Sequence, residues 1–464
     1  YNSLTVTGSH ITGKGYGIVG NGTWHGTDIT ITDSTIETTG VEATVGEAQG
    51  KTTSTSIFQP QYGVLTISGN TTITGYTGIE MRSGRLVISG DGVTVKTVAT
   101  ADDFFSISNN SGTTLGAVAV GVSQHGTELP VDVNISGGTF VAGEGCYAFY
   151  ETDNMESIAP SDGVTVALSG GTFNGAVESK NMSGFVSGGK FANRVPAEYL
   201  AENFALAESE DGYKVVDESG EEIADYGAAL ISEDSYVLYS DAIAAIAAAG
   251  EGDTVKLLED VNGNITINAN QSVTLDVNGK TITSDVKGVP TILNNGTLKI
   301  IDTAEVKGTI PRGPTTYYVI RNDGVMTIAD VNVENLTSDP SSLVANNSTY
   351  RQEDPAKLTI TSGTFTSGAS NAVKNDEYGV LEISDGVFET KSANHAAVQN
   401  WATATISGGT FTGVQFAISA EVYMAQANTT TISGGTFNAP NAVYISDGYT
   451  LVNDNGEEPV YPGG

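Results

Sequence analysis

Two acids in tandem, Asp102 and Asp103, are the first residues in this chain whose type suggests catalysis. A glycoside hydrolase uses two carboxylates about 5 to 9.5 Å apart, one to protonate the leaving group and one to attack or to activate water. No basic partner accompanies this pair, and Phe104-Phe105 follows at once, so the doublet reads as a solvated turn. A lyase acting on an acidic polysaccharide needs Ca²⁺-binding acids beside Arg or Lys. The chain holds six Arg in all, at 82, 85, 194, 312, 321 and 351. His10, His25, His125 and His395 share no metal-ligand spacing. His125 and Glu128 are three apart, which helps only on a helix, and Gly126 and Pro130 oppose one. Cys146 stands alone, which excludes an internal disulfide and a Cys-based zinc site. With no basic neighbour to activate it, its thiol reads as filler for a small core gap. The Asp-Gly pairs at 162–163, 385–386 and 447–448 are turn residues that need no metal.

Binding chemistry is the stronger reading. Oversized stretches at 97–130, 141–163, 304–319, 337–356 and 417–430 interrupt a regular pattern, and such loops carry recognition. Stretch 304–319 contains Arg312 between prolines and then Tyr317-Tyr318; stretch 337–356 contains Tyr350-Arg351. Tyr and Arg are the residue types that anchor interfaces. Arg312, Tyr317, Tyr318, Tyr350 and Arg351 are therefore the binding candidates. No catalytic residue, metal ligand or cofactor is assigned, and the chain is read as no enzyme. Trp24, His25 and Trp401 read as packing residues.

The elements that must position these loops follow from repetition. Ser-Gly-Gly-Thr-Phe stands at 136–140, 169–173, 407–411 and 433–437, with relatives at 187–191, 362–365 and 384–388. A short apolar-alternating run precedes each, such as Val133-Asn134-Ile135 or Leu381-Glu382-Ile383. A return of about 22 residues with strand, Gly turn and strand describes one coil of a parallel β-solenoid. Inward Ile, Val and Leu alternate with outward Thr, Ser and Asn, as a half-buried strand requires. One Phe ladder is expected through 365, 388, 411 and 437, another through 140, 173 and 191.

The solenoid occurs twice. Residues 193–239 lack the repeat, and 198–234 holds 12 acids against Lys214 alone. The expected division is a first β-helix over 1–216, lacking its opening coils and closed by 193–216, and a second over 217–464. Residues 241–249 predict a short helix that covers the second core, with Ser240 as N-cap, Gly250 as terminator, and Ile243 and Ile246 on one face.

Composition narrows the partners. Twenty bases against 54 acids give a formal charge of −34 and a pI near 4.2, while Gly and Thr contribute 57 residues each. Such a surface opposes nucleic acid and anionic lipid, both of which reward clustered positive charge. The longest wholly apolar run, Ala242 to Ala249, is far too short to span a bilayer. Abundant Thr, Gly and Asn with little Lys and one Cys suit a bacterial extracellular repeat.

The run Asp241-Ala-Ile-Ala-Ala-Ile-Ala-Ala-Ala-Gly-Glu-Gly-Asp-Thr-Val-Lys-Leu-Leu, with Val273-Thr-Leu-Asp-Val-Asn-Gly-Lys-Thr-Ile282, resembles the opening of a known module type. These are the right-handed parallel β-helix modules of large surface proteins from Gram-positive gut bacteria, within the pectate-lyase-like superfamily. The Ile-Ser-Gly-Gly-Thr-Phe repeats and Val195-Pro-Ala-Glu-Tyr199 resemble the same group. The resemblance implies an all-β fold of two tandem right-handed parallel β-helices, the second opened by a capping helix. It leaves activity open, because that superfamily hosts lyases, hydrolases, tailspikes and adhesins. The basic-x-Lys and Asn-Thr-Asp strings of its polygalacturonase-like hydrolases are missing. The expectation is a monomeric fragment of a cell-surface protein, a rigid stalk whose loops recognise a host glycoprotein or glycan. The alternatives are a polysaccharide-degrading enzyme and a pure spacer.

Overall fold

The structure is a computed structural model that describes residues 2–20, 26–44, 48–107, 112–123, 130–152, 163–219, 221–312, 317–335, 337–338, 340–348, 351–420 and 428–438. Short strands in parallel stacks make up most of it, with a single α-helix among the described residues. This is the all-β solenoid that the repeats predict. The chain divides into two compact units, Tyr1–Ala224 with Asp234–Val237, and Asp225–Glu233 with Leu238–Gly464.

Each unit is a three-faced coil. In unit 1, Asn2–Thr7, Thr27–Thr32, Val64–Ser68, Gly84–Ile88, Val131–Val141, Val164–Asn174 and Val186–Phe191 pair in parallel. Their register aligns Val6, Ile31, Ile67, Ile88, Ile135, Leu168 and Val186 in one buried column. A second face aligns Ile36, Ile73, Val95, Phe140, Phe173 and Phe191. The third is a six-stranded sheet of Tyr16–Val19, Thr55–Gln59, Thr77–Met81, Val118–Ser123, Tyr147–Thr152 and Ala176–Ser179. A 3₁₀ turn at Ala197–Tyr199 and an antiparallel hairpin, Phe204–Ser209 with Gly212–Asp217, follow the last coil. There the Tyr199 hydroxyl donates to the Ser179 carbonyl at 2.8 Å, beneath the Phe185 ring.

Unit 2 is more regular. One column runs Val255, Leu275, Ile300, Ile328, Ile360, Ile383, Ile406 and Ile432. Another runs Ile310, Val333, Phe365, Phe388, Phe411 and Phe437. The Phe rings stack face to face at 4.9 to 5.0 Å and within 8° of parallel; those of unit 1 stack at 4.7 and 5.0 Å, 18° and 6° from parallel. The spacing is that of neighbouring strands, so register alone brings the rings into contact. Burying each such side chain contributes about 1.5–3 kcal/mol.

The Gly-Gly element differs between units. In unit 1 it lies within the 11-residue strands Val131–Val141 and Val164–Asn174, where the pairing slips. In unit 2 it separates two strands, Thr403–Ile406 and Thr410–Thr412. The second glycine is required in both. Gly171 has φ +98°, and a Cβ there would sit 3.1 Å from the carbonyl oxygens of Gly137 and Gly138.

The helix spans Ala242–Ala248 and lies against strands Ala228–Ile231 and Asp253–Leu257 of its own unit. Two details correct the sequence reading. The N-cap is Asp241, whose carboxylate accepts from the Ala244 N–H at 2.8 Å, because Asp241 rather than Ser240 holds the extended backbone of a cap. The buried face is Ala242, Ala245 and Ile246, while Ile243 is 49% exposed. A helix this short covers the core with one narrow stripe.

Candidate binding face

The third face of unit 2 is a seven-stranded sheet of very short strands, among them Ile292–Asn294, Ile320–Asn322, Val344–Asn346, Val373–Asn375 and Ala396–Asn400. Each ends in apolar-x-Asn, and strand alternation puts the apolar residue and the Asn inside and the middle residue outside. Asn294, Asn322, Asn346, Asn375 and Asn400 are all fully buried. They form a ladder in which each side-chain NH₂ donates to the next side-chain oxygen at 2.8, 2.8, 2.7 and 2.8 Å. The same amides reach backbone carbonyls, as Asn322 does with Gly324 at 3.1 Å and Lys357 at 2.9 Å. The ladder thus locks both the turn of its own coil and the start of the next.

Two columns, largely polar, flank the ladder, with Ala345 and Asp376 in them buried. Before it the register aligns Leu293, Arg321, Ala345, Lys374 and Gln399. After it come Asn295, Asp323, Asn347, Asp376 and Trp401. Arg321 donates to Asp323 through Nε at 2.8 Å and Nη2 at 2.7 Å. This bidentate bond, outweighing burial, holds the guanidinium above its ordinary range. Asn347 adds a third donor to Asp323 at 3.0 Å. Two coils further, Lys374 pairs with Asp376 at 2.7 Å and lies 3.9 Å from the centre of the Trp401 ring. Burial pushes the Asp376 carboxyl upward, and Lys374 pulls it partly back.

The loop candidates fall in two groups. Tyr317 and Tyr318 join this face: their rings are 4.8 Å apart, and the Tyr317 hydroxyl accepts from Arg321 Nη1 at 3.2 Å. Burial raises the Tyr318 phenol, which also feels Lys374 and Asp376. Arg312 is 8% exposed and donates to the Ser341 and Ser342 carbonyls at 3.0 and 3.1 Å, closing its loop instead of facing a ligand. Arg351 forms an exposed pair with Asp354 at 2.8 Å. Tyr350 lies outside the described residues.

Sequence reasoning passed over Arg321, Asp323, Lys374, Asp376 and the ladder. The signal was present: apolar-x-Asn recurs at steps of 28, 24, 29 and 25 residues, each just before a strand of the main sheet. The Ser-Gly-Gly repeat drew attention away from it.

Other candidates resolve as structure. Asp103 accepts from the Thr100 N–H and hydroxyl, both at 2.9 Å, capping a 3₁₀ turn. Cys146 is buried against Ala99 and Ala117, with its thiol pushed up by burial. His10 pairs with Glu37 and His395 with Ser392, at 2.8 Å each; His25 and His125 lie outside the described residues. No group of His, Cys, Asp and Glu able to hold a metal occurs among the described residues. A cleft of about 440 Å³ in unit 1 contains Asp28, Tyr62, Arg85 and Asp132. Its two carboxylates are three coils apart in register. At about 4.8 Å per coil they are separated by roughly 14 Å, too far for a glycosidase pair.

No helix among the described residues is long and apolar enough to cross a membrane. No protein-family model, curated protein or solved structure matches the chain.

Proposed function

We propose that the chain is a non-catalytic module of a bacterial surface protein, a stalk that recognises a host glycoprotein or glycan through the outer face of the seven-stranded sheet. The observation that carries this reading is the paired polar columns. Arg321–Asp323 and Lys374–Asp376 neutralise one another, leaving an uncharged face rich in donors and acceptors beside Tyr317, Tyr318 and Trp401. Hydroxyl-rich, neutral sugars match such a face, whereas acidic polymers meet the repulsion of a −34 chain. The resemblance to β-helix modules of Gram-positive gut bacteria, the Thr- and Gly-rich composition and the lone cysteine support an extracellular setting.

A second reading has one observation in its favour. The raised Asp376 carboxyl is the kind of group that serves as a general acid, with Asp323, paired to Arg321 two coils away, as the second carboxylate. A glycan array and a host-protein screen, run with product release on the same polysaccharides, separate the two. Saturable binding without new reducing ends, lost in Tyr317→Ala and Trp401→Ala variants that keep the parent melting curve, is the expected result. Turnover would replace the proposal with the hydrolase, and neither binding nor turnover would leave a spacer.

A further inference from the structure

The six-stranded sheet of unit 1 holds a carboxylate that neither the hydrophobic columns nor the binding face uses. Glu80, in strand Thr77–Met81, is fully buried. Its cover is a four-residue segment, Gly112–Leu115, that crosses the coils. The segment follows the aligned positions Tyr16, Thr55, Thr77 and Val118, which belong to successive strands of the sheet. The Gly112 carbonyl accepts from Arg82 Nη1 at 3.3 Å. The Thr113 N–H donates to the Tyr16 hydroxyl at 3.1 Å, and its side chain meets Thr55 Oγ1 at 2.6 Å. The Thr114 N–H and hydroxyl both donate to Glu80 Oε1, at 3.0 and 2.6 Å, and Thr114 Oγ1 lies 3.0 Å from Ser123 Oγ. The Leu115 carbonyl accepts from Thr77 Oγ1 at 2.7 Å. Four residues thus fasten strands from four coils, and the only carboxylate among these contacts is at the centre.

We propose that Gly112–Leu115 is a strap across unit 1 and that Glu80 is its latch, closed while the carboxyl is protonated and released when it ionises. The geometry supplies the reason. A closed strap denies the carboxylate water, and an open one restores it. Burial raises the Glu80 carboxyl from about 4.5 to about 7, although the Thr114 bonds and Arg82 act in the opposite direction. Arg82 and Tyr16 meet the strap itself and Tyr150 and Tyr147 the cluster around Leu115, and an arginine keeps its charge across this range. A raised carboxyl stabilises the closed form fully below pH 4.5, and that stabilisation is lost as pH climbs through 7. Release uncovers the apolar cluster of Leu115, Val118 and Tyr150, against which Phe104 and Tyr147 pack.

Amide hydrogen exchange on the full chain at pH 6, 7 and 8, corrected for the intrinsic base-catalysed rate, tests the strap. Peptides covering 112–118 are expected to open about tenfold more at pH 8 than at pH 6. Peptides from the 365–411 ladder serve as the unchanged reference. Glu80→Gln, which keeps the shape and removes the titration, is expected to flatten the response of 112–118. A wild-type response within twofold of the reference overturns the proposal, as does an equal response in Glu80→Gln. If that variant does not fold, the wild-type profile decides alone, and Thr114→Val is expected to raise opening severalfold at pH 6.

Discussion

The third faces of the two units solve one problem in opposite ways. Both bury polar side chains along a parallel sheet. In unit 2 the ladder along the strands is built of amides, and an amide both donates and accepts, so identical Asn side chains satisfy one another from coil to coil. The ladder then takes no donor from outside its own coils, and Arg321, Lys374 and Trp401 stand beside it, half-buried with Tyr317 and Tyr318. In unit 1 the buried polar groups are mixed, hydroxyls and Gln59 together with two carboxyls, Glu80 and Glu151. Glu80 takes its donors from Thr114, while Glu151 takes its own from Ser179 at 2.6 Å and the Asn181 N–H at 3.1 Å. Thr114 and Asn181 lie between strands and Ser179 ends one, so the sheet of unit 1 is tied in part to its loops. The difference teaches that a buried amide can be satisfied by its own kind in the next coil, whereas a buried carboxyl must find donors of another type.

The sharpest way to break this contrast is to put the wrong acid in the ladder. Asn346→Asp keeps the shape but removes the donors to Asn375, Ala356 and Val380, and leaves a buried carboxylate facing oxygens. An uncompensated buried charge of this kind costs about 5 kcal/mol at neutral pH. Because the new carboxyl is raised in the fold, the loss is expected to shrink as pH falls, and urea unfolding at pH 7 and pH 4 measures both. A small or pH-independent loss would show that the ladder is not what holds the face.

The Phe ladders are the control, since both units share them. Phe388→Ala and Phe173→Ala each remove a fully buried ring from a stack at 4.7 to 5.0 Å on either side. Each is expected to cost about 4 kcal/mol, independent of pH, in the same urea assay. Unequal costs would mean that the units differ in apolar packing as well as in polar chemistry.

What was legible in the sequence follows the same division. The Ser-Gly-Gly-Thr-Phe repeat exposes the Phe ladders and the positive-φ glycine because both place a rare residue type at a fixed beat. The inner columns were legible for the same reason, apolar alternation before each Gly. The Asn ladder was hidden because Asn is also frequent at outward positions and in turns, and only pairing register shows which Asn points in. The site followed the ladder into obscurity. Arg321 and Lys374 stand next to ladder positions in ordinary-looking strands, whereas Arg312 drew notice beside prolines and proved to be structural. Burial of Glu80 was invisible, since nothing local reveals that residues 112–115 return across the strand 34 residues earlier.

The smallest expected effect concerns how unit 2 covers its first coil, where the helix and strand Ala228–Ile231 lie against Asp253–Leu257. That cover depends on a seven-residue helix too short to persist unaided, so its cap matters. Asp241→Ala removes the acceptor of the Ala244 N–H and is expected to cost about 1 kcal/mol. Ser240→Ala, one residue earlier and outside the cap, is expected to stay within about 0.5 kcal/mol. Thermal melts of the two variants decide between the positions. If the costs were reversed, the helix would start one residue sooner, and Ile243 would turn toward the core that Ala242, Ala245 and Ile246 now cover.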